Sequence, residues 1–395
     1  GWSGAGNINQ NPLFVGGGDY HLQQASPAVD AAETAAAPAL DLDGVPRPVP
    51  AGGDADMGCY EWRLSGLELA PGQSGVAVPG QAITYTLTIT NAGNAADVFV
   101  LDVFTDTQGW VEAIQPVMVS LAAGAHTTIE VIVSVPAGTA GGSSSHAIVR
   151  ATSQTDPATV DSATLDTAAA NVADLSLSPD HTVNLVPGLV MRYEHILTNN
   201  GNFTDSVHLT AQSSQGWSTE VQPVVEVPAG EARTVVLSVT VPGDALAGTI
   251  DTTTITATSA ASYGTITANA TNTGTVLQFA QVNVTPDRTG YASPGTTITY
   301  THAVSNTGNG SDTLDLTVAS SQGWSVTVTP EVVSLTAGAS STVEVAVSVP
   351  SGVGDATDVT TVTATSRFNA TVSASVQDTT RTQARIYLPL VARNL

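Results

Sequence analysis

The sequence predicts an all-β protein built from tandem immunoglobulin-like antiparallel β-sandwiches. Three observations carry that prediction. One plan recurs three times, with Gly-Trp at 109–110, 216–217 and 323–324, each 107 residues apart. An Asn-x-Gly-Asn turn recurs in step, as Asn91-Gly93-Asn94, Asn199-Gly201-Asn202 and Asn306-Gly308-Asn309. Between these marks the apolar residues alternate with a period of two, and turn residues interrupt them about every ten positions, which is the pattern of short half-buried strands. No stretch carries a helical period longer than a turn.

The first repeat, 63–170, shows the pattern most clearly. In AITYTLTIT, Ile83, Tyr85, Leu87 and Ile89 share one face and Thr84, Thr86, Thr88 and Thr90 the other, as in an antiparallel strand with one dry side. Asn-Ala-Gly-Asn then reads as a hairpin turn whose residues tolerate positive φ, with Val98, Val100 and Val103 on the return strand. Ile129, Val131, Val133 and Val135 alternate before Pro136; Ile148 and Ala151, then Ala163 and Leu165, complete the unit. The second repeat, 171–277, and the third, 278–380, align with it through Met191, Tyr193, His195, Leu197 and Ile298, Tyr300, His302, Val304. Three sandwiches of this kind, at roughly 35–45 Å each, predict a rod.

The two ends differ from the repeats. Residues 1–62 are rich in Gly, Ala, Pro and Asp and hold no long alternating strand. The tail, 381–395, ends in RIYLPLVARNL. Counting 107 on from Gln278 lands on Arg385, where a fourth repeat would begin. Ile386, Leu388 and Leu390 alternate there, and Tyr387 and Val391 add apolar bulk. A free strand of this kind is sticky. Three readings stay open: it adds a strand to a neighbouring chain, it folds back along the third sandwich, or it is a sorting tag.

Composition narrows the function. The formal net charge is −24, from 34 acidic and 10 basic residues, and all ten bases are Arg. So acidic a chain repels nucleic acid and anionic lipid. Without Lys, isopeptide cross-links between Lys and Asn or Asp cannot form. Charged residues make up 11%, well under the usual ~25%; Ser, Thr, Asn and Gly cover the polar faces instead, as on an extracellular β-protein. Cys59 is the only cysteine, so no intrachain disulfide forms, and a buried, inert side chain is expected there. No run of ~18 apolar residues suits a membrane span.

Two resemblances add to this reading. In residues 1–62, Asn11-Pro12-Leu13-Phe14, Asp19-Tyr20-His21-Leu22, Ser26-Pro27-Ala28-Val29-Asp30, Asp41-Leu42-Asp43-Gly44 with Arg47-Pro48, and Asp56-Met57-Gly58-Cys59-Tyr60-Glu61 resemble the last coils of a right-handed parallel β-helix in bacterial secreted proteins with a choice-of-anchor motif. That resemblance implies a β-helix-like segment ahead of the sandwiches. Coils of that fold bury their faces only by stacking, so the segment is expected to be completed by something else: a lost N-terminal part, the next domain, or another chain. The repeats themselves resemble the NEW3-type domains attached to bacterial glycosidases. The matching features are Pro-Gly, the Tyr of the next strand, Asn-x-Gly-Asn, Asp97, Asp205 and Asp312, Gly-Trp, and the Val-Pro stops at Pro136, Pro242 and Pro350. This resemblance speaks to fold more than to function.

Candidate chemistry is sparse. Asp41, Asp43, Asp54 and Asp56 are the densest acidic cluster and the weak calcium candidates; they do not form an EF-hand, and no other cofactor is suggested. His195 and His302 occupy equivalent strand positions, where Leu87 stands in the first repeat; each is expected to be a core imidazole with a backbone partner. The Gly-Trp tryptophans are expected to plug the core. No catalytic motif is present. Sequons begin at Asn202, Asn269, Asn283, Asn309 and Asn369. The sequence therefore predicts a non-enzymatic extracellular or cell-surface protein of bacterial type. It would be a filament subunit that partners with itself head-to-tail through Ile386, Tyr387, Leu388, Leu390 and Val391. The alternative is the stalk of an adhesin or of a polysaccharide-binding or polysaccharide-degrading β-helix protein, with cell-surface polysaccharide as partner.

Overall fold

A computed structural model describes residues 6–262 and 264–382. The chain divides into two compact units. One comprises residues up to Asp174 with Asn200–Thr204 and Pro228–Gly230; the other comprises Leu175–Asn199, Asp205–Val227 and the chain from Glu231 onward.

Three pairs of sheets, each a four-stranded sheet with a five-stranded one, make up most of the molecule. In the first pair, Leu67–Ala70, Ala82–Asn91, His126–Ser134 and Val111–Gln115 lie side by side in one sheet. Gln73–Ala77, Val160–Ala169, Ser144–Ser153, Asp97–Asp106 and Met118–Leu121 form the other. Pairing is antiparallel except that Gln73–Ala77 runs parallel to Val160–Ala169. The same order recurs in the second pair, with Leu175–Ser178, Val190–Asn199, Ala232–Thr240 and Thr219–Glu220 against His181–Leu185, Thr267–Val276, Ile250–Ser259, Asp205–Ser213 and Val224–Val227. It recurs again in the third, with Val282–Thr285, Thr297–Asn306, Ser340–Ser348 and Ser325–Thr329 against Arg288–Ala292, Ser373–Thr382, Thr357–Ser366, Asp312–Ser320 and Val332–Leu335. The protein is thus all-β, of tandem immunoglobulin-like sandwich type.

The period-two pattern is what closes each sandwich. Tyr85, Leu87 and Ile89 are buried and pack with Ile129, Val131 and Val133 of the same sheet and with Phe99, Val149 and Leu165 of the facing one. Each such aliphatic side chain contributes about 1.5–3 kcal/mol by leaving water. Trp110 and Trp324 are buried in their cores, and Trp217 packs partly buried against its own. The tryptophan follows a glycine with φ of +70°, +71° and +71° at Gly109, Gly216 and Gly323, a conformation that a Cβ disfavours.

The Asn-x-Gly-Asn segment differs from its expected role. It does not close a hairpin: Ala82–Asn91 lies in the four-stranded sheet and Asp97–Asp106 in the five-stranded one, so the turn carries the chain across the sandwich. Its glycines are required by close approach. A Cβ on Gly93 would overlap the Leu64 carbonyl oxygen, and one on Gly308 would lie 2.5 Å from the Phe279 oxygen. On the strand that follows, Phe99 and Leu101 face the core while Val100 and Val103 are exposed.

Residues 6–62 also depart from expectation. In place of parallel coils, the described pairing is antiparallel: Phe14–Gly16 with Asp19–Leu22, and single bridges Ala32 to Ala55 and Leu40 to Pro46. The segment is held by polar groups folded back on its turns. Glu61, 2% exposed, accepts the Asp56 N–H through Oε1 and the Val49 N–H through Oε2, each at 3.0 Å. Arg47 donates to the carbonyls of Asp56 and Gly58 and lies 3.4 Å from Glu61. Runs of two to four apolar residues between glycines and prolines are too short to stack as coils and leave turn chemistry in charge. Cys59, expected to be buried, is exposed, because it sits on one of these surface turns. Among the described residues no helix is long and apolar enough to cross a membrane.

Candidate functional site

Each crossing turn carries two asparagines with different tasks. The first ties the sheets of its own sandwich. Asn91 Nδ2 donates to the carbonyls of Ala95 (2.8 Å) and Leu121 (3.0 Å), and Asn306 Nδ2 to those of Gly310 (2.8 Å) and Leu335 (3.0 Å). Asn199 Nδ2 donates to the Val227 carbonyl at 2.8 Å. The second asparagine clasps chain that comes before the sandwich. Asn94 donates to the Trp62 carbonyl (3.1 Å) and accepts the Leu64 N–H (2.8 Å). Asn202 donates to the Thr139 and Ala170 carbonyls, both 3.0 Å, and accepts the Val172 N–H at 2.7 Å. Asn309 donates to Ala245 (3.1 Å) and Leu277 (2.9 Å) and accepts the Phe279 N–H (2.8 Å). One short amide thus satisfies backbone groups from both directions, most of them part-buried, where a fully buried group left unmet costs about 1–3 kcal/mol. Asn309 is buried, so its sequon is closed to modification, and Asn202 is similarly engaged.

Beside the first of these turns lies a cleft of about 470 Å³, between the proline-rich stretch Val45–Val49 and the turns at Ala95–Ala96 and Ala122–Ala123. Its walls are small and apolar. Its polar groups are Asn94, Thr155, Arg63 and Asp43, with Arg63 donating to the Ala96 carbonyl. Asp43 is oriented from the other side by His21, whose Nε2 is 2.7 Å from Asp43 and whose Nδ1 is 2.5 Å from Asp19. The His21 ring also stacks on Tyr60 with centroids 3.9 Å apart. Hydrogen bonds to Asp43 and then Asp19 raise the His21 pKa above its ordinary 6.5. Nothing in the sequence marks this cleft: its walls come from Ala, Pro and Val far apart in the chain, Val45–Val49 against Ala95–Ala96 and Ala122–Ala123, with no motif to signal them.

The four acidic calcium candidates do not converge. Asp41 accepts the N–H groups of Asp43, Val45 and Glu61. Asp43 faces His21, and Asp54 faces Thr34 at 3.5 Å. Asp56, 1% exposed, accepts the N–H groups of Asp30 and Trp62, and burial raises its pKa. Among the described residues no group of three or more His, Cys, Asp or Glu side chains is placed to hold a metal ion. His195 and His302 are fully buried core imidazoles, each with Nδ1 2.9 Å from a proline carbonyl, Pro179 and Pro286. The tail residues Ile386, Tyr387, Leu388, Leu390 and Val391 lie outside the described residues.

An acid that sequence reading missed anchors each Gly-Trp loop, buried in the second and third sandwiches and half-buried in the first. In the third sandwich, Asp358 Oδ1 accepts Ser320 Oγ–H (2.6 Å), Ser321 Oγ–H (3.1 Å) and the Gln322 N–H (3.0 Å), and Oδ2 accepts Thr360 Oγ–H (2.7 Å). Asp251 does the same for Ser213, Ser214, Gln215 and Thr253. In the first sandwich the two partners trade strands: Asp106 accepts from Ser145 at 2.6 Å. Burial works against the charge on Asp358 and Asp106, but the hydrogen bonds outweigh it and hold both pKa values below the ordinary carboxylate value.

No protein-family model matches the chain, and no curated protein matches it in sequence; neither resemblance read from the sequence is therefore supported by a sequence match. Among solved structures, the chain is similar to mouse cadherin-23 EC22-24, at 12% identity over 80% of this chain and 99% of that one, with a TM-score of 0.41. It is also similar to the I-band fragment I67-I69 of titin (11%, 81% and 100%, 0.34) and to Drosophila N-cadherin EC1-4 (13%, 82% and 77%, 0.33). Likeness at this level adds nothing about function; the fold class rests on the strand pairing itself.

Proposed function

We propose that this chain is a non-enzymatic extracellular structural protein, the subunit of a filament or cell-surface fibre that assembles head-to-tail by strand addition through its C-terminal tail. The observation that carries this reading is the recurring asparagine clasp. Asn309 binds the preceding sandwich at Ala245 and Leu277 and the linker at Phe279. Fixing the third sandwich to the second with part-buried hydrogen bonds serves a protein that transmits force or holds a distance. Catalysis needs a polarised cleft with convergent acids or bases, whereas Asp41, Glu61, Asp251 and Asp358 accept hydrogen bonds from the turns and loops around them. The tail supplies the assembly step: Ile386, Leu388 and Leu390 alternate as an edge-adding strand does. Light scattering and negative-stain microscopy of the full chain and of a variant lacking residues 383–395 test it. Fibres from the full chain and single particles from the truncated one are expected; fibres from both, or from neither, overturn the reading.

One observation favours a second role, binding cell-surface polysaccharide. Phe14 and Tyr20 are exposed and meet edge to face at 5.5 Å, with Asp19 alongside. An exposed aromatic ring offers an apolar face on which a sugar ring can stack, and Tyr20 adds a hydroxyl as a polar handle. Retention of the full chain on insoluble polysaccharide, lost in Y20A, is the outcome this role requires.

A further inference from the structure

Resting on the reading above that the tail drives assembly, we propose that the tail's acceptor is the cleft between Val45–Val49 and the first crossing turn, where residues 385–391 of a second copy dock by their side chains, since none of the cleft's lining residues lies on a strand. The tail brings four aliphatic side chains that need cover. The cleft offers apolar walls made of the smallest side chains, Ala96, Ala122 and Ala123 opposite Pro46 and Pro48, and its volume of about 470 Å³ falls in the range of pockets that enclose a ligand. Walls of alanine leave that space for a larger partner residue.

Charge points the same way. Residues 383–395 carry Arg385 and Arg393 and no acidic side chain, in a chain whose net charge is −24. Residues 1–62 carry eight carboxylates and the single base Arg47, and the stretch of them that lines the cleft runs from Asp43 to Ala51. Asp43 stands at the cleft, fixed by His21. The cleft's own base, Arg63, is turned onto the Ala96 carbonyl at 3.3 Å. A cationic apolar peptide is therefore attracted to this face of an otherwise self-repelling protein.

The test uses the full chain with a photo-reactive benzoylphenylalanine at position 387, mixed with an isotope-labelled copy so that links between chains are told apart by mass. Cross-links from position 387 of one copy to residues 43–51, 94–96 or 122–123 of another are expected. A122W, and independently A123W, fill the cleft from exposed turns; each should lower the yield of those links at least tenfold with an unchanged thermal midpoint. Inter-chain links elsewhere, or links to these residues that survive both tryptophans, overturn the cleft as acceptor while leaving tail-driven assembly standing. If removal of 383–395 leaves assembly unchanged, the assembly reading itself fails, and this inference with it.

Discussion

His302 Nε2 lies 3.0 Å from Asp378 Oδ2 in the core of the third sandwich, with both side chains fully buried. The equivalent positions hold His195 and Asn272 in the second sandwich and Leu87 and Leu165 in the first. One fold thus carries three solutions at one core site, from apolar to ionisable. Burial raises the Asp378 pKa above its ordinary 3.8, with the opposing pull of His302 smaller. A folded value above the unfolded one means that the folded chain holds the proton longer. The contribution of Asp378 is therefore most favourable at low pH and is lost as pH rises through the folded value.

H302L leaves the Asp378 carboxyl buried with its histidine partner gone and should cost about 3–5 kcal/mol. H302L/D378L, which installs the apolar pair of the first sandwich, should recover most of that loss, as buried pairs replaced whole by apolar residues usually do. Calorimetry of the full chain at pH 5 and pH 8 checks both. A double variant no more stable than H302L would show that the site depends on the pair itself.

How far the sequence reveals such features depends on whether they are periodic. Alternation placed Tyr85, Leu87 and Ile89 inside correctly, because a strand has only two faces. Alternation cannot say which sheet the next strand joins, so the chain across Asn91–Ala96 read as a hairpin when it is a crossing. The asparagines were visible; their partners were not, since Thr139 and Ala245 contribute carbonyls, which every residue has. The expected parallel coils rested on short motif blocks, and those same Asp and Pro residues proved to be turn formers. The cleft left no trace, because a gap between alanines has no signature in one dimension.

His195 should give the chain a weakness in mild acid. Burial lowers its pKa below the ordinary 6.5, and His181, whose ring centroid is 5.1 Å away, lowers it further; the Pro179 carbonyl and Asp180 oppose this. The unfolded chain then takes up the proton first, so stability is full above pH 6.5 and falls as pH drops toward the folded value. His195 Nε2 and Asn272 Oδ1 have no hydrogen-bond partner, so replacing the imidazole gives up its contact with the Pro179 carbonyl and leaves no partner of Nε2 behind. H195L should raise the thermal midpoint more at pH 5 than at pH 7.5. An equal shift at both would place the acid sensitivity elsewhere.

Gly75 should prove coupled to Ala77 and Thr167. Tyr85 Oη is 2.8 Å from Thr167 Oγ1, and a Cβ on Gly75 would lie 2.8 Å from that same Oη and 2.5 Å from Ile83 Cδ1. The third sandwich repeats this with Gly290, Tyr300 and Thr380. In the second, Val183 takes the glycine's place, and Gly274 takes the threonine's, its space filled by Leu185. G75V alone should cost about 1–3 kcal/mol by overpacking. G75V with A77L and T167G, which transplants the second sandwich's set, should restore part of it, and urea unfolding of the wild type, G75V, A77L/T167G and the triple variant gives the coupling. Strict additivity would mean that the two packings are independent of these residues.

Asn309 gives the most direct measure of the clasp. N309A removes two donated bonds and one accepted bond, and leaves the carbonyls of Ala245 and Leu277 and the N–H of Phe279 without that partner. A loss of about 1–3 kcal/mol in local stability follows. It should appear as faster hydrogen exchange at Phe279, by one to two orders of magnitude at about 1.4 kcal/mol per factor of ten. Val345 and Val347, in the core of the same sandwich, should exchange as before, since they owe nothing to the clasp. N309D keeps the oxygen that accepts from Phe279 while ending donation to the two carbonyls, so it should protect Phe279 better than N309A does. If N309A slows nothing and speeds nothing at Phe279, the amide contributes no hold on the linker; if it speeds exchange throughout the sandwich, Asn309 acts on the whole fold and the idea of a local clasp fails.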